Sequence, residues 1–149
     1  MIKQTAEIIV LVLVLILSSS VGAEVTRDID SSITSLREEI KTAPTYSAYS
    51  RLGYLLLKKD SVDEAMDSFT KALELRPDYH AAKTGKGIVL LRKGDLKAAE
   101  TTLRDALVLN PDPVRTHYEL GLVYEKMGDH EKAIAEYKEG IRKFEQGRK

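Results

Sequence analysis

Residues 118–137 read YELGLVYEKMGDHEKAIAEY, and their landmarks recur twice upstream at a single spacing. Gly53, Gly87 and Gly121 are separated by 34 residues each time, as are Ala65, Ala99 and Ala133. Leu56, Leu90 and Tyr124 keep that interval, Phe69, Leu103 and Tyr137 keep it too, and Pro77 and Pro111 share it. Several independent positions in one register define an internal repeat, and a period in this range belongs to stacked units that bury a core only against their neighbours.

Within each unit the apolar spacing predicts helix, turn, helix. In the first, Tyr49, Leu52, Leu56 and Leu57 mark one helical face, and Lys58-Lys59-Asp60 closes it. Ser61 with Glu64 three residues on has the form of a capping box. The helix it opens would bury Ala65, Phe69, Ala72 and Leu73 and stop before Pro77. The second unit repeats the plan through Leu90, Leu91, Gly94-Asp95, Ala99, Leu103, Ala106, Leu107 and Pro111. The third uses Leu120, Tyr124, Gly128-Asp129, Ala133, Ile134, Tyr137, Ile141 and Phe144. Gly94 and Gly128 suit a left-handed residue after a helix, and Asp60 holds that place in the first unit. Gly53, Gly87 and Gly121 fall inside helices, where each costs about 1 kcal/mol relative to Ala. Such a cost at regular spacing predicts close helix–helix approach, with Ala65, Ala99 and Ala133 on the facing helix.

Leu52-Gly53, Ala65, Phe69, Ala72 and Pro77 resemble the tetratricopeptide-repeat signature, and Gly87, Ala99, Ala106 and Pro111 repeat the likeness. The third unit matches at Leu120-Gly121, Tyr124, Gly128-Asp129, Ala133 and Tyr137 but departs at Gly140 and Glu145. The resemblance implies an all-α, right-handed α-solenoid with repeats at 46–79, 80–113 and 114–147. It also implies a concave groove, lined by the first helix of each pair, that holds a peptide or protein segment. Aligned on the family pattern, the groove-facing residues are Ser47, Ser50, Tyr54 and Leu57, then Ala81, Thr84, Ile88 and Leu91, then Arg115, Tyr118, Leu122 and Glu125. Of these, Tyr54, Leu57, Thr84, Ile88, Leu91, Arg115, Tyr118 and Leu122 are the candidates for partner contact. Tyr54, Ile88 and Leu122 share one register and should form an apolar stripe, where relatives often carry Asn. The Lys and Asn arrangement by which chaperone-binding relatives grip a carboxylate is missing. Lys58, Arg92 and Lys126 form a second ladder, read here as cations that complement helix C-termini.

Upstream, Ile29, Ile33, Leu36 and Ile40 make an apolar stripe on a helix spanning about residues 30–41, inside a capping segment at 24–45. With Pro44 set over Pro77, Leu36 falls on Phe69, so this is half a degenerate repeat covering one end of the stack. The C-terminal end has no such cover, and its face near Val123, Ile134 and Ile141 is expected to be a self-association or docking surface. Residues 1–23 read as a secretory signal: Lys3, the aliphatic run Ile8–Leu17, then small residues up to Ala23, after which cleavage is expected. The alternative is a membrane anchor at residues 6–25. The aliphatic run alone spans about 15 Å as a helix, half of the hydrocarbon core, and the longer window includes Glu7, three Ser and Glu24. Either reading sends the folded part to the cell envelope or beyond.

Composition removes other classes. Lys plus Arg and Asp plus Glu both total 23, giving zero formal charge and no basic face for nucleic acid. The chain has no Cys, which removes disulfides, thiolate zinc sites and thiol nucleophiles. His80, His117 and His130 have no metal-ligand spacing, no phosphate-cradling or nucleophile motif occurs, and carboxylates such as Glu136 and Glu139 alternate with Lys on what should be solvated faces. The sequence thus predicts a protein-binding adaptor, not an enzyme, with no cofactor or metal. The second reading is a structural subunit of an envelope or membrane assembly that uses its end or convex face.

Overall fold

The computed structural model describes residues 28–110 and 113–148. The leader, in both its readings, residues 24–27 of the capping segment, and Pro111 lie outside the described residues. Among the described residues seven helices follow in order: α1 at residues 28–42, α2 Tyr46–Lys58, α3 Val62–Leu75, α4 His80–Lys93, α5 Leu96–Leu109, α6 Val114–Met127 and α7 His130–Gly147. No strand occurs among the described residues.

Local chemistry fixes most of the boundaries. Thr45, Asp95 and Asp129 accept hydrogen bonds from Ala48 N, Ala98 N and Lys132 N and so cap α2, α5 and α7. Gly94 and Gly128 end α4 and α6 with φ of 82° and 80°. Asp60 takes the same left-handed region with φ of 61°, as predicted. The capping box at Ser61 does not form: Ser61 makes no side-chain cap bond. Its intended partner Glu64 instead accepts a 2.6 Å bond from Arg37 of α1. The Ser61 N–H that the motif would use donates instead to Leu56 O at 2.9 Å, in the turn that closes α2.

The in-helix glycines are where helices touch. A Cβ on Gly53 would lie 2.7 Å from the Phe69 ring, one on Gly87 2.5 Å from Leu103, and one on Gly121 2.2 Å from Tyr137. No heavy atom tolerates such approach, so each hairpin requires the absence of that side chain. Ala65, Ala99 and Ala133 are buried on the partner helices, as expected. Gly85 lies outside the 34-residue register of glycines, yet a Cβ there would come within 2.2 Å of the same edge of the Phe69 ring. Phe69 is therefore gripped by glycines of its own repeat and of the next.

Successive helices pack in chain order from α2 to α7, and in addition α2 touches α4 and α4 touches α6. The second helices α3, α5 and α7 make no corresponding contact with one another. First helices drawn together and second helices splayed apart give curvature, with α2, α4 and α6 on the inner side. α1 closes one end, where Ile33 and Leu36 are buried in one cluster with Leu52, Phe69 and Ala72. Arg37–Glu64 and Lys59–Asp30 ion pairs border this seam at 2.6 Å each. At the other end Val123 is fully buried, contrary to expectation, because it faces α5 and α7 from inside the last hairpin's core. The exposed apolar residues there are Tyr118, Ile134, Ile141 and Phe144.

Candidate functional site: the inner groove

The inner faces of α2, α4 and α6 enclose a depression of about 380 Å³ lined by Tyr54, Leu57, Lys58, Ile88, Leu91, Arg92, Arg115, Glu119, Leu122 and Lys126. Six of the eight predicted contact residues meet there: Tyr54, Leu57, Ile88, Leu91, Arg115 and Leu122. Leu57, Ile88 and Leu91 are buried and form its floor, whereas Tyr54 and Leu122 are half-buried and offer surface. The apolar stripe is therefore continuous, but its middle residue is held between repeats.

Thr84 and Tyr118 stand elsewhere. Both lie in the register of Ser50, which is buried at the seam between helices. Thr84 is likewise buried, its hydroxyl 3.0 Å from that of Thr116, and Asn110 Nδ2 also donates to Thr116 Oγ1 at 3.2 Å. It opens on a smaller depression of about 240 Å³ that shares Tyr54 and Arg115 with the groove. Tyr118 is turned about 60° around α6 from Arg115 and looks towards α7, with its ring 5.8 Å from that of Tyr137. Its register is a seam position, and no helix follows α7 among the described residues to cover it. Of the remaining aligned positions, Glu125 is exposed and accepts a 2.9 Å bond from the Tyr137 hydroxyl. Ala81 contributes its carbonyl, to which Tyr54 Oη donates at 2.7 Å.

Charge in the groove is lopsided. Four cations, Lys58, Arg92, Arg115 and Lys126, surround one carboxylate, Glu119. Arg115 lies 3.7 Å from Glu119 and stacks its guanidinium 4.4 Å from the centre of the Tyr54 ring. Burial pushes the Tyr54 hydroxyl up to about 12, against the opposing pull of Arg115. Burial also raises the Glu119 carboxyl above its ordinary value, with Arg115 and Arg92 acting the other way. Arg92 donates to Leu57 O at 2.8 Å and to Asp60 Oδ1 at 3.1 Å, so it satisfies a carbonyl at the C-terminus of α2, the first helix of the preceding repeat. Lys58 and Lys126 form no ion pair among the described residues.

Glu119 is the groove residue that the sequence reading missed. Carboxylates at large are expected on solvated faces, and the residue type of Glu119 gives no sign of burial. The available signal was register: residue 119 matches Arg51 and Gly85, positions that meet a neighbouring helix.

This curved stack of helical hairpins with an open inner trough is a repeat solenoid that presents a binding surface. A family model described as tetratricopeptide repeat matches residues 46–79, and another of the same description matches residues 84–148. The chain belongs to the tetratricopeptide-repeat family, which makes it a protein-interaction scaffold. Solved structures of MamA share the fold. One crystal structure of MamA superposes with a TM-score of 0.67 over 80% of this chain and 70% of its own, at 24% identity. MamA from residue 41 to its end, from Desulfovibrio magneticus RS-1, gives 0.68 over 81% of this chain and 69% of its own, at 20% identity. MamA of strain MSR-1 gives 0.65 over 82% and 71%, at 25% identity. No curated protein matches this chain in sequence.

Proposed function

We propose that the inner groove holds an amphipathic partner segment carrying acidic residues, and that the scaffold works outside the cytoplasm, exported or tethered by its N-terminal segment. The observation that carries the first part is the pairing of an apolar floor with unbalanced cations in one depression. Leu57, Ile88 and Leu91 offer a buried apolar base, Tyr54 and Leu122 offer half-buried apolar edges, and Lys58 and Lys126 offer charges that form no ion pair among the described residues. A basic concavity attracts and orients an acidic segment, while apolar contact supplies residence. The aliphatic run ending in small residues supports export, with cleavage after Ala23 as the leading reading and an anchor at residues 6–25 as the other. The adaptor reading is favoured over an enzyme because the one buried carboxylate of the groove, Glu119, sits beside arginines and has no acid or base partner to work with.

A peptide array probed with the full chain tests the groove. Peptides enriched by the wild type should combine apolar residues with Asp or Glu. The double substitution Lys58→Glu and Lys126→Glu should abolish that preference, and Leu122→Asn should weaken binding without loss of helicity. Enrichment that ignores charge, or that survives both changes, would retire this reading. Intact mass of the mature protein checks cleavage, since the leader is either gone after Ala23 or present.

A further inference from the structure

We propose that the outer face of α7 pairs with the same face of a second copy of this chain, antiparallel, about a twofold axis close to Ile141. The face is built for covering. Ala106 and Ala72, one and two repeats upstream of Gly140, are fully buried because the next repeat stacks over them. Leu73 and Leu107, in register with Ile141, are half-buried at the same seams, whereas Ile141 is 60% exposed. Tyr118 and Phe144 are each 54% exposed and Ile134 53%, which makes one contiguous apolar surface at the end of the stack. Gly140 leaves a notch in it: Val114, Tyr118, Tyr137, Gly140, Ile141 and Phe144 line a concavity of about 370 Å³, room for an apolar side chain of a facing helix.

Two observations select a second copy as the occupant. First, head-to-tail stacking fails. Among the described residues the opposite end of the stack is α1, whose outward residues include Ser31, Thr34, Arg37, Glu38 and Lys41, all exposed and polar. An apolar face that finds no match at the other end of the same molecule closes on itself instead, as an isologous pair. Second, the rim is self-complementary. Lys138 lies one turn before Ile141 and Glu145 one turn after, on the edge of the stripe away from α6. Both are exposed and neither forms an ion pair among the described residues. An antiparallel copy sets Lys138 against Glu145 of its mate twice over, while a parallel copy sets like against like. One helix face is smaller than the roughly 800 Å² per partner of a standard interface, so the pair is weak. The inner grooves stay open, and a dimer then engages two partner segments at once.

The absence of cysteine makes the test direct. Ile141→Cys in the full chain, oxidised with copper phenanthroline, should give a disulfide-linked dimer of this chain, and Glu131→Cys, on a different part of α7, should not. Lys138→Glu in the Ile141→Cys background should cut the crosslinked fraction roughly five- to tenfold, and adding Glu145→Lys should restore it. Circular dichroism confirms that each variant keeps its helicity. Equal crosslinking at both cysteines, no dimer at Ile141→Cys, a crosslink to some other protein in its place, or no rescue by the charge swap would each overturn the proposal.

Discussion

At the N-terminal end of the stack α1 covers the first repeat with Ile33 and Leu36, each about 95% removed from solvent, and ion pairs seal the border. At the C-terminal end α7 occupies the same structural role as α3 and α5, yet its Ile134, Ile141 and Phe144 remain more than half exposed. The helices of the two ends share an amphipathic pattern. The difference lies in what stands beyond them, and it shows that in a solenoid a residue's burial is decided by its neighbouring repeat and not by its own unit. Equivalent substitutions should therefore have unequal effects along the stack.

The largest contrast is between Phe69 and Tyr137, which share one register. Phe69 is fully buried between Gly53 and Gly85, so Phe69→Ala should cost about 3–5 kcal/mol. Tyr137 meets Gly121 on one side only and is half-buried, so Tyr137→Ala should cost about 1–2 kcal/mol. Urea unfolding reads both, and equal losses would break the comparison. Next comes the cover itself. Leu36→Ala should cost about 2–4 kcal/mol, whereas Ile141→Ala in dilute solution should stay within about 0.5 kcal/mol. A large loss at Ile141 in the monomer would mean that the outer face of α7 is already covered.

Smaller and deliberately insensitive to position are Gly94→Ala and Gly128→Ala. Neither added Cβ meets any atom within 4 Å, so the whole effect is the left-handed backbone, about 1 kcal/mol each. Thermal unfolding should give the same loss in the middle repeat and in the last. Unequal losses would show that the end hairpin is locally looser.

The smallest effect belongs to the groove between the ends. A carboxyl with a higher pKa folded than unfolded takes up protons on folding, so Glu119 favours the native state more as the pH falls. Glu119→Gln should thus be more stable than wild type at neutral pH, and the gap should close as the pH drops below the carboxylate range. Denaturation at pH 7 and at pH 4 checks the sign. A variant that is less stable than wild type at pH 7 would mean that the pairing of Arg115 with Glu119 outweighs the burial of the acid. The same substitution should tighten binding of acidic peptides by removing the groove's one negative charge.

Much of the fold was legible because it rests on short-range chemistry repeated at one interval. Gly53, Gly87 and Gly121 announced close contact by being unfavourable where they stood, and Asp60, Gly94 and Gly128 announced helix ends through their tolerance of positive φ. The errors share one cause. Ser61 and Glu64 had the form of a local cap, but the turn after α2 takes the Ser61 N–H and Arg37, distant in sequence, pairs with the carboxylate. Tyr118 matched a groove position by alignment, yet its register is a seam, and its surroundings depend on what stacks over α7. Glu119 looked solvated because exposure cannot be read from residue type when a neighbouring helix supplies the cover. Gly85 lies outside the repeat pattern because it serves only the single seam where an aromatic ring needs two glycines.

The sequence by itself determined the repeat length, the helix pairs, their turns, the close-contact glycines and the family. Each of these is a local preference or a periodic one, and periodicity survives without coordinates. Tertiary structure alone decided which cations are left unpaired in the groove, how deep Glu119 sits and which side chains at the uncovered end stay exposed. Those properties come from contacts between residues about 30 positions apart and from the curvature that such contacts accumulate. Side chains identical in type and register differ in exposure only through what packs beside them, and that information is carried by the assembled chain.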